Sequence, residues 1–301
     1  MIAALTLAEN IDELTRAKDT SHISLRSPKA SLLLRFELKA KKNPTLCVAG
    51  SLRPQARLKI CRLKELGMQM KIGTWNTQGR LAKGPLDRAM LPRSWGYDLW
   101  ALQECEAAPD LGLPFGESVQ SVKNSAKHVA IASRYKLLEV RKAKTGNCIA
   151  ALVDAPSPFV FASMWSFDPE PRKGRYQKYI ESSAAMMEEM IEYAAEISLP
   201  LVVAGDFNMS LGHDLSLKAR ALQAGLYDKW ENAGLCSAYH QHFDVDFGME
   251  REPTVYGTSG QKAWKYHIDY IWYDREAFDL ELVKLQMRLK SDHAPVTAIL
   301  R

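Results

Sequence analysis

From residue 70 onward, short apolar runs alternate with polar loops in a pattern that predicts β-strands. The runs are Lys71–Thr74, Leu99–Leu102, His128–Ala132, Cys148–Val153, Phe159–Met164, Leu199–Ala204, Ile268–Tyr273 and Pro295–Leu300. They are rich in β-branched side chains, and several are apolar throughout instead of alternating. That is the pattern of strands covered on both faces. Between them a helix is predicted over Arg175–Ile197. Tyr179, Met186, Met190, Ile191 and Ala194 there fall near a 3.6-residue spacing, while Glu181, Glu188, Glu189 and Glu192 fall elsewhere. A second helix is predicted over His213–Ala224, from Leu215, Leu217, Ala221 and Leu222. Many strands interleaved with helices predict an α/β fold of two stacked sheets covered by helices.

Residues 1–69 carry no sustained period of either kind. They predict a basic, weakly ordered extension ahead of one domain over 70–301. Other readings of this stretch stay open. Met68 and Met70 stand just before the first convincing strand, as a misplaced start would leave them. An organelle-targeting segment is disfavoured by the acids present, and a basic arm that touches anionic partners is the more interesting possibility. The apolar stretch from Met1 to Ala8 is followed by Glu9, Asp12 and Glu13 without a basic region before it, a poor secretory signal.

Charge changes the picture once it is divided. The chain of 301 residues has a net charge of +5, but residues 1–69 hold 13 of its 40 Lys and Arg and only 6 of its 35 Asp and Glu. The remainder holds 27 basic and 29 acidic residues, so the main domain does not announce a nucleic-acid partner by overall charge. A bound cation offsetting some of those acids would hide a locally attractive site. No apolar run approaches the roughly 18 residues of a membrane-spanning helix. The five cysteines, Cys47, Cys61, Cys105, Cys148 and Cys236, are odd in number and widely spaced. They read as free thiols of a cytoplasmic protein.

Five segments place polar groups at the ends of apolar runs: Gly73-Thr74-Trp75-Asn76, Leu102-Gln103-Glu104, Gly205-Asp206-Phe207-Asn208, His267-Ile268-Asp269-Tyr270 and Ser291-Asp292-His293. Each alone is more often a turn or cap residue than a catalyst. Together they could meet, because strand ends share a rim. Carboxylates with an amide and water make a hard oxygen shell suited to Mg²⁺ or Mn²⁺, and the absence of Cys from these segments argues against zinc.

In order and rough spacing, these segments resemble the endonuclease/exonuclease/phosphatase superfamily. Gly234-Leu235-Cys236-Ser237-Ala238-Tyr239-His240 and Glu252-Pro253-Thr254-Val255-Tyr256 are similar to a little-characterised bacterial branch of it. The resemblance covers roughly 70–301. It implies a four-layer α/β sandwich, two stacked mixed sheets flanked by helices. It also implies a Mg²⁺- or Mn²⁺-dependent phosphoesterase working by in-line attack of an activated water. By the same resemblance Glu104 is the principal metal ligand, with Asn76 and Asp292 nearby on the ion or its waters. Asp206 orients and deprotonates the water, and Asn208 donates hydrogen bonds around water and phosphate. His293 stabilises charge on the phosphate oxygens, while Asp269 fixes its tautomer and keeps it cationic.

One departure stands out. Many members carry a histidine or tyrosine at the end of the strand before Gly-Asp-Phe-Asn, where this chain has Trp165. An indole offers one donor and no useful pKa, so it either stacks on a base or sugar or plugs the cleft edge. The loop with Arg172, Arg175 and Tyr176 could supply phosphate contacts, or simply be a solvated helix start. Arg134, Lys136, Arg141, Lys142 and Lys144 read as a solvated face before a nucleic-acid track. His240 and His267 read as structural before catalytic. Trp264 is divided between core packing and contact with a displaced sugar. The function expected is a phosphodiesterase, most simply a nuclease on DNA or RNA, acting as a monomer without membrane insertion. A phosphomonoesterase or a lipid or inositol phosphodiesterase stays open, as does, in another class, a non-catalytic phosphate-binding module. The intact set of seven polar residues argues against the last.

Overall fold

The structure, a computed structural model, describes residues 23–26, 33–37, 45–49, 69–78, 96–105, 117–120, 127–144, 147–167, 175–213, 216–259, 262–287 and 291–301. The chain separates into two units, Met1–Arg57 and Leu58–Arg301. In the first, β1 (Ile23–Arg26), β2 (Leu33–Glu37) and β3 (Thr45–Ala49) pair in sequence order as an antiparallel meander. The sequence suggested no strands here. Runs such as Leu33-Leu34-Arg35-Phe36 are too brief to stand out among the surrounding Lys and Arg.

The second unit contains two six-stranded mixed sheets. One consists of β4 (Met70–Asn76), β5 (Leu99–Cys105), β6 (Glu117–Gln120), β7 (His128–Ser133), β16 (Leu280–Leu285) and β17 (Val296–Leu300), in the order β16-β17-β4-β5-β7-β6. The other consists of β8 (Lys136–Lys142), β9 (Cys148–Asp154), β10 (Phe159–Trp165), β11 (Leu201–Asp206), β12 (Leu235–Ser237) and β15 (Asp269–Asp274), in the order β12-β15-β11-β10-β9-β8. A separate hairpin pairs β13 (Val255–Ser259) with β14 (Lys262–Tyr266).

The two-residue period of the strands divides their side chains between two cores. Met70, Ile72, Phe159, Phe161, Val202, Ala204, Ile271 and Tyr273 fill the space between the sheets. Val160, Ala162, Met164, Val203 and Trp272 face the other way. There they meet Met186, Met187 and Met190 of α1 (Arg175–Ile197) and Leu226 and Trp230 of α2 (Leu217–Asn232). Each such side chain contributes roughly 1.5–3 kcal/mol by leaving water. On the outer face of the first sheet Trp75, Trp100 and Leu102 are also buried, so strands of both sheets carry apolar residues on both faces. The result is an α/β sandwich.

Helix α1 has the bounds its periodicity predicts. Helix α2 starts later than the sequence suggested and runs further, because Ser216 caps it by accepting from the Ala219 amide at 3.2 Å. Its buried anchors Leu226, Tyr227 and Trp230 lie beyond Ala224. The basic stretch is largely the edge strand β8, where Arg141 pairs with Glu196 at 3.1 Å and lies over the Tyr193 ring, while neighbouring Arg134 pairs with Asp98 at 2.8 Å. Charge along an edge discourages pairing with another chain. Cys105, Cys148 and Cys236 are free thiols, and among the described residues no helix is long and apolar enough to cross a membrane.

Two parallel pairs, β4 with β5 and β10 with β11, send their C-terminal ends to the same rim. Antiparallel β15 begins there, with Asp269 opposite Asp206, and β17 begins there with Val296 opposite Thr74. Gly205 is what allows β11 to lie so close to β10 at this rim, since a Cβ on it would sit 1.9 Å from the Met164 carbonyl oxygen. Backbone cannot rotate away. Gly205→Ala is therefore expected to lose about 1–3 kcal/mol or more of stability, read from urea unfolding.

Candidate active site

At the rim, Asn76 joins the two sheets. Its Nδ2 donates to Asp206 Oδ2 at 2.9 Å and to Glu104 Oε1 at 3.2 Å, and its Oδ1 accepts from the Gln78 amide. Glu104 sits where the β5–β7 register breaks between Leu102 and Cys105, with φ of +50°. This bulge takes its carboxylate out of the strand's alternation, a strained geometry common at functional sites. Thr77 braces the bulge. Its amide donates to the Gln103 carbonyl at 2.8 Å and its hydroxyl lies 3.1 Å from the Glu104 carbonyl. Underneath, Thr74 donates to Gln103, Gln103 donates to Ser163, and Ser163 lies within reach of the Leu102 carbonyl. This fully buried polar layer separates the site from the apolar core.

Asp206 is buried and accepts from the Asn208 amide at 3.0 Å. Asn208, also at a φ of +50°, donates its side-chain amide to the Ser166 carbonyl at 2.7 Å. The turn Asp206-Phe207-Asn208 is thus held by its own polar groups, and Ser183 of α1 donates to the Phe207 carbonyl. His293 Nδ1 lies 2.8 Å from Asp269 Oδ2, while its Nε2 faces Asp206 Oδ2 at 4.0 Å. Ser291 donates to the Asn76 carbonyl at 2.7 Å and Trp75 Nε1 donates to the His293 carbonyl, which fastens the Ser291-Asp292-His293 turn to β4. Asp292 is half-buried, and its carbonyl accepts from the Tyr256 amide.

The site thus gathers Asn76, Glu104, Asp206, Asn208, Asp269 and His293 on one rim, with Asp292 beside them. Of the four phosphate-contact candidates, Trp165 does not join them. Trp165 is 2% exposed and stacks on Phe167 with centroids 4.5 Å apart, as part of the core between the sheets. In that position it closes the cleft floor and cannot stack on a base. Its parity on β10, in step with Phe159 and Phe161, sends it inward. Arg172 lies outside the described residues, and Arg175 and Tyr176 open α1 with side chains outside them.

His240 and His267 are structural. His240 bridges Ser237 and Glu250, and buried His267 donates Nδ1 to the Glu252 carbonyl at 2.7 Å. Burial pushes its pKa down to about 4, so it stays neutral. Trp264 is half-exposed on the hairpin, packed over Gly257.

Two residues of the site escaped the sequence. Lys127 pairs directly with Glu104 Oε2. Thr254, fully buried, accepts on its hydroxyl from the amides of Ile268 and Asp269 at 3.0 and 3.1 Å, and its carbonyl accepts from the Ala294 amide at 2.7 Å. It ties Asp269 to the turn that carries His293. The signal was there in Glu252-Pro253-Thr254-Val255-Tyr256, a segment noted for its likeness but given no role.

Crowded charge sets the protonation states. Burial first, then the Asp269 carboxylate, pushes Asp206 up to about 8, against the pull of His293 and the Asn76 amide. Burial alone would lower His293, but Asp269, by charge and by hydrogen bond, with Asp206 and Asp292 behind it, holds the ring up at about 10. Asp206, Asp269 and His293 offer ligating atoms within 4.8 Å of one another, as a metal site would. A protonated imidazole already bonded to a carboxylate has no lone pair for an ion. Glu104, with 15% of its side chain exposed, and half-buried Asp292 are the more open carboxylates, and their oxygens are of the kind that Mg²⁺ or Mn²⁺ takes.

Two outcomes follow from this geometry. Asp206 and His293 both hold protons more tightly in the folded chain than in the unfolded one. Metal-free stability should therefore fall as pH rises, through Asp206 between about 4 and 8 and through His293 between about 6.5 and 10. Thermal unfolding in chelator should give a lower Tm at pH 9 than at pH 6, with Asp206→Asn flattening the difference; a flat wild-type profile would contradict the assignment. Thr254→Val should cost about 1–3 kcal/mol by leaving two buried amides unmet. Thr254→Ser should restore most of it in the same urea titration.

Comparison with known proteins shows the family and the fold. The endonuclease/exonuclease/phosphatase family matches residues 73–293. Among solved structures, a 3′ phosphatase from Neisseria bound to a product DNA hairpin superposes with a TM-score of 0.57 at 22% identity, covering 76% of this chain and 98% of that one. An AP endonuclease from Archaeoglobus fulgidus gives 0.57 at 16% identity, over 76% and 98%. A mannosyl-6-phosphatase from Bacteroides thetaiotaomicron gives 0.54 at 17%, over 77% and 99%. At such identities the likeness is one of fold. No curated protein matches the sequence.

Proposed function

This chain belongs to the endonuclease/exonuclease/phosphatase family of phosphoester hydrolases, and on that premise we propose that it is a divalent-metal-dependent phosphodiesterase acting on nucleic acid. The observation that carries the reading is Asn76 bridging Glu104 and Asp206 at 3.2 and 2.9 Å, with the His293–Asp269 pair facing the same Asp206. Glu104 and Asp292 would hold the ion. Asn76, its amide nitrogen turned to both carboxylates, positions Glu104 instead of ligating through an open oxygen. When bound, Mg²⁺ or Mn²⁺ supplies charge to neutralise the phosphate and the departing oxygen.

The chain's own groups do the rest. Asp206 takes the proton of the attacking water as its oxygen bonds to phosphorus. The bond to the leaving oxygen breaks in line with that attack, and the departing alkoxide takes a proton from solvent. Asn208 keeps one amide hydrogen on Ser166 and directs the other to the water or phosphate. Cationic His293 donates Nε2–H to the oxygens where charge grows, with its ring oriented by Asp269.

Support for nucleic acid comes from the β13–β14 hairpin. It leaves the site beside His293, through the Val255–His293 bridge, and carries exposed Lys262 and Lys265 with half-exposed Trp264. Cations with an aromatic face suit a phosphate backbone and its bases. The same site could serve a phosphomonoester, a reading that the mannosyl-6-phosphatase likeness keeps in view. The free thiols suit a reducing cytoplasm.

Hydrolysis of bis-(p-nitrophenyl) phosphate should require Mg²⁺ or Mn²⁺ and stop in EDTA. Asp206→Asn and His293→Ala should each lower kcat about 10²–10³-fold without unfolding the chain. Near-wild-type rates for Asp206→Asn at saturating metal would remove the base from this scheme. A panel of single- and double-stranded DNA, abasic DNA, RNA, inositol phosphates, sphingomyelin and sugar phosphates then decides the substrate, with preference for a sugar phosphate overturning the nucleic-acid reading.

A further inference from the structure

Glu104 has two oxygens, and each has its own partner. Oε1 accepts from Asn76, while Oε2 is in direct contact with Lys127 Nζ. Lys127 immediately precedes β7, and the β5–β7 register resumes at Cys105 opposite His128. The bulge that turns Glu104 toward the rim therefore also delivers it to Lys127. The lysine side chain is 40% exposed and that of Glu104 15%, so the ammonium stands between the carboxylate and solvent at the mouth of the cleft.

Charge balance explains the pairing. Glu104, Asp206, Asp269 and Asp292 meet at this rim, and among the described residues the cations in contact with them are His293 and Lys127. His293 is committed to Asp269, which leaves Lys127 to neutralise Glu104. An ammonium is a compact charge on a flexible stem, able to leave one anion for another nearby without backbone movement. A divalent cation held by Glu104 would compete with the ammonium for the same carboxylate.

We propose that Lys127 is a substrate-binding residue whose availability depends on the metal: it holds Glu104 in the metal-free protein and, once a divalent cation takes that carboxylate, turns to the anionic oxygens of the phosphoester. The proposal rests on Glu104 being the metal ligand. Two consequences of opposite sign follow. Lys127 competes with the ion, so removing it tightens metal binding; Lys127 attracts the substrate's charge, so removing it weakens substrate binding. A lysine that merely propped the bulge would not give opposite signs, because its loss would loosen Glu104 and weaken both.

The test is Mn²⁺ binding to the full metal-free chain, followed by calorimetry or by the free-ion paramagnetic signal, beside KM for bis-(p-nitrophenyl) phosphate. Lys127→Met should lower the Mn²⁺ Kd about 3–10-fold and raise KM about tenfold, while Lys127→Arg, which keeps the cation, should stay near wild type in both. Unchanged or weaker Mn²⁺ binding by Lys127→Met, in a variant with wild-type circular dichroism, overturns the competition. An unchanged KM overturns the substrate role. Glu104→Gln separates this proposal from its premise. If that variant binds Mn²⁺ as well as wild type, Glu104 is not the ligand and the metal assignment itself falls. If it binds Mn²⁺ weakly while Lys127→Met changes nothing, only the lysine's role falls.

Discussion

Negative charge gathered in a buried place is the constraint to which the rest of this molecule answers. Asp206 and Asp269 stand opposite each other on neighbouring antiparallel strands, with Glu104 one bridging amide away. Carboxylates this close, out of water, repel strongly unless cations or donors meet them. Every such partner at the rim is built in: the Asn76 amide, the Asn208 backbone, protonated His293 and Lys127. Even so, Asp269 Oδ1 has no partner. A rim with more acid than base is unfavourable for folding and useful for holding a cation.

Holding that charge in place demands a rigid frame, and the sandwich provides one in layers. An apolar core locks the sheets together. Above it the Thr74-Gln103-Ser163 layer satisfies its own hydrogen bonds between the sheets, and above that stand the acids. Glu104 and Asn208 both adopt left-handed backbone, each braced by hydrogen bonds from neighbouring polar groups. Strain of this kind persists only where surroundings over-determine it. Thr254 extends the frame to the far side, binding the start of β15 through its hydroxyl and the turn before β17 through its carbonyl.

Much of the fold was legible because strands that carry apolar residues on both faces announce themselves as unbroken apolar runs. All eight runs read as strands are strands, and α1 keeps its predicted bounds. The elements that escaped are those with weaker patterns. β12 has three residues, and the β13–β14 hairpin is largely exposed. Helix α2 slid because Leu215 and Leu217 drew the helix toward them, whereas Leu217 is exposed and a serine cap sets the start.

The sequence by itself determined which side chains end the strands and how they are spaced, and so the family, the α/β class and the acid-and-amide chemistry of the rim. Those features are local: a strand-end carboxylate is visible wherever the chain folds. Only the tertiary structure decided which of them touch. Trp165 was open to the cleft on paper and lies in the core, because strand parity and sheet stacking turn it inward. Lys127, lost among other lysines in the sequence, meets Glu104 because a bulge in one strand changes what faces it across the next. Register and bulges are settled by the packing of two sheets against each other, a property of the whole fold that no short segment carries.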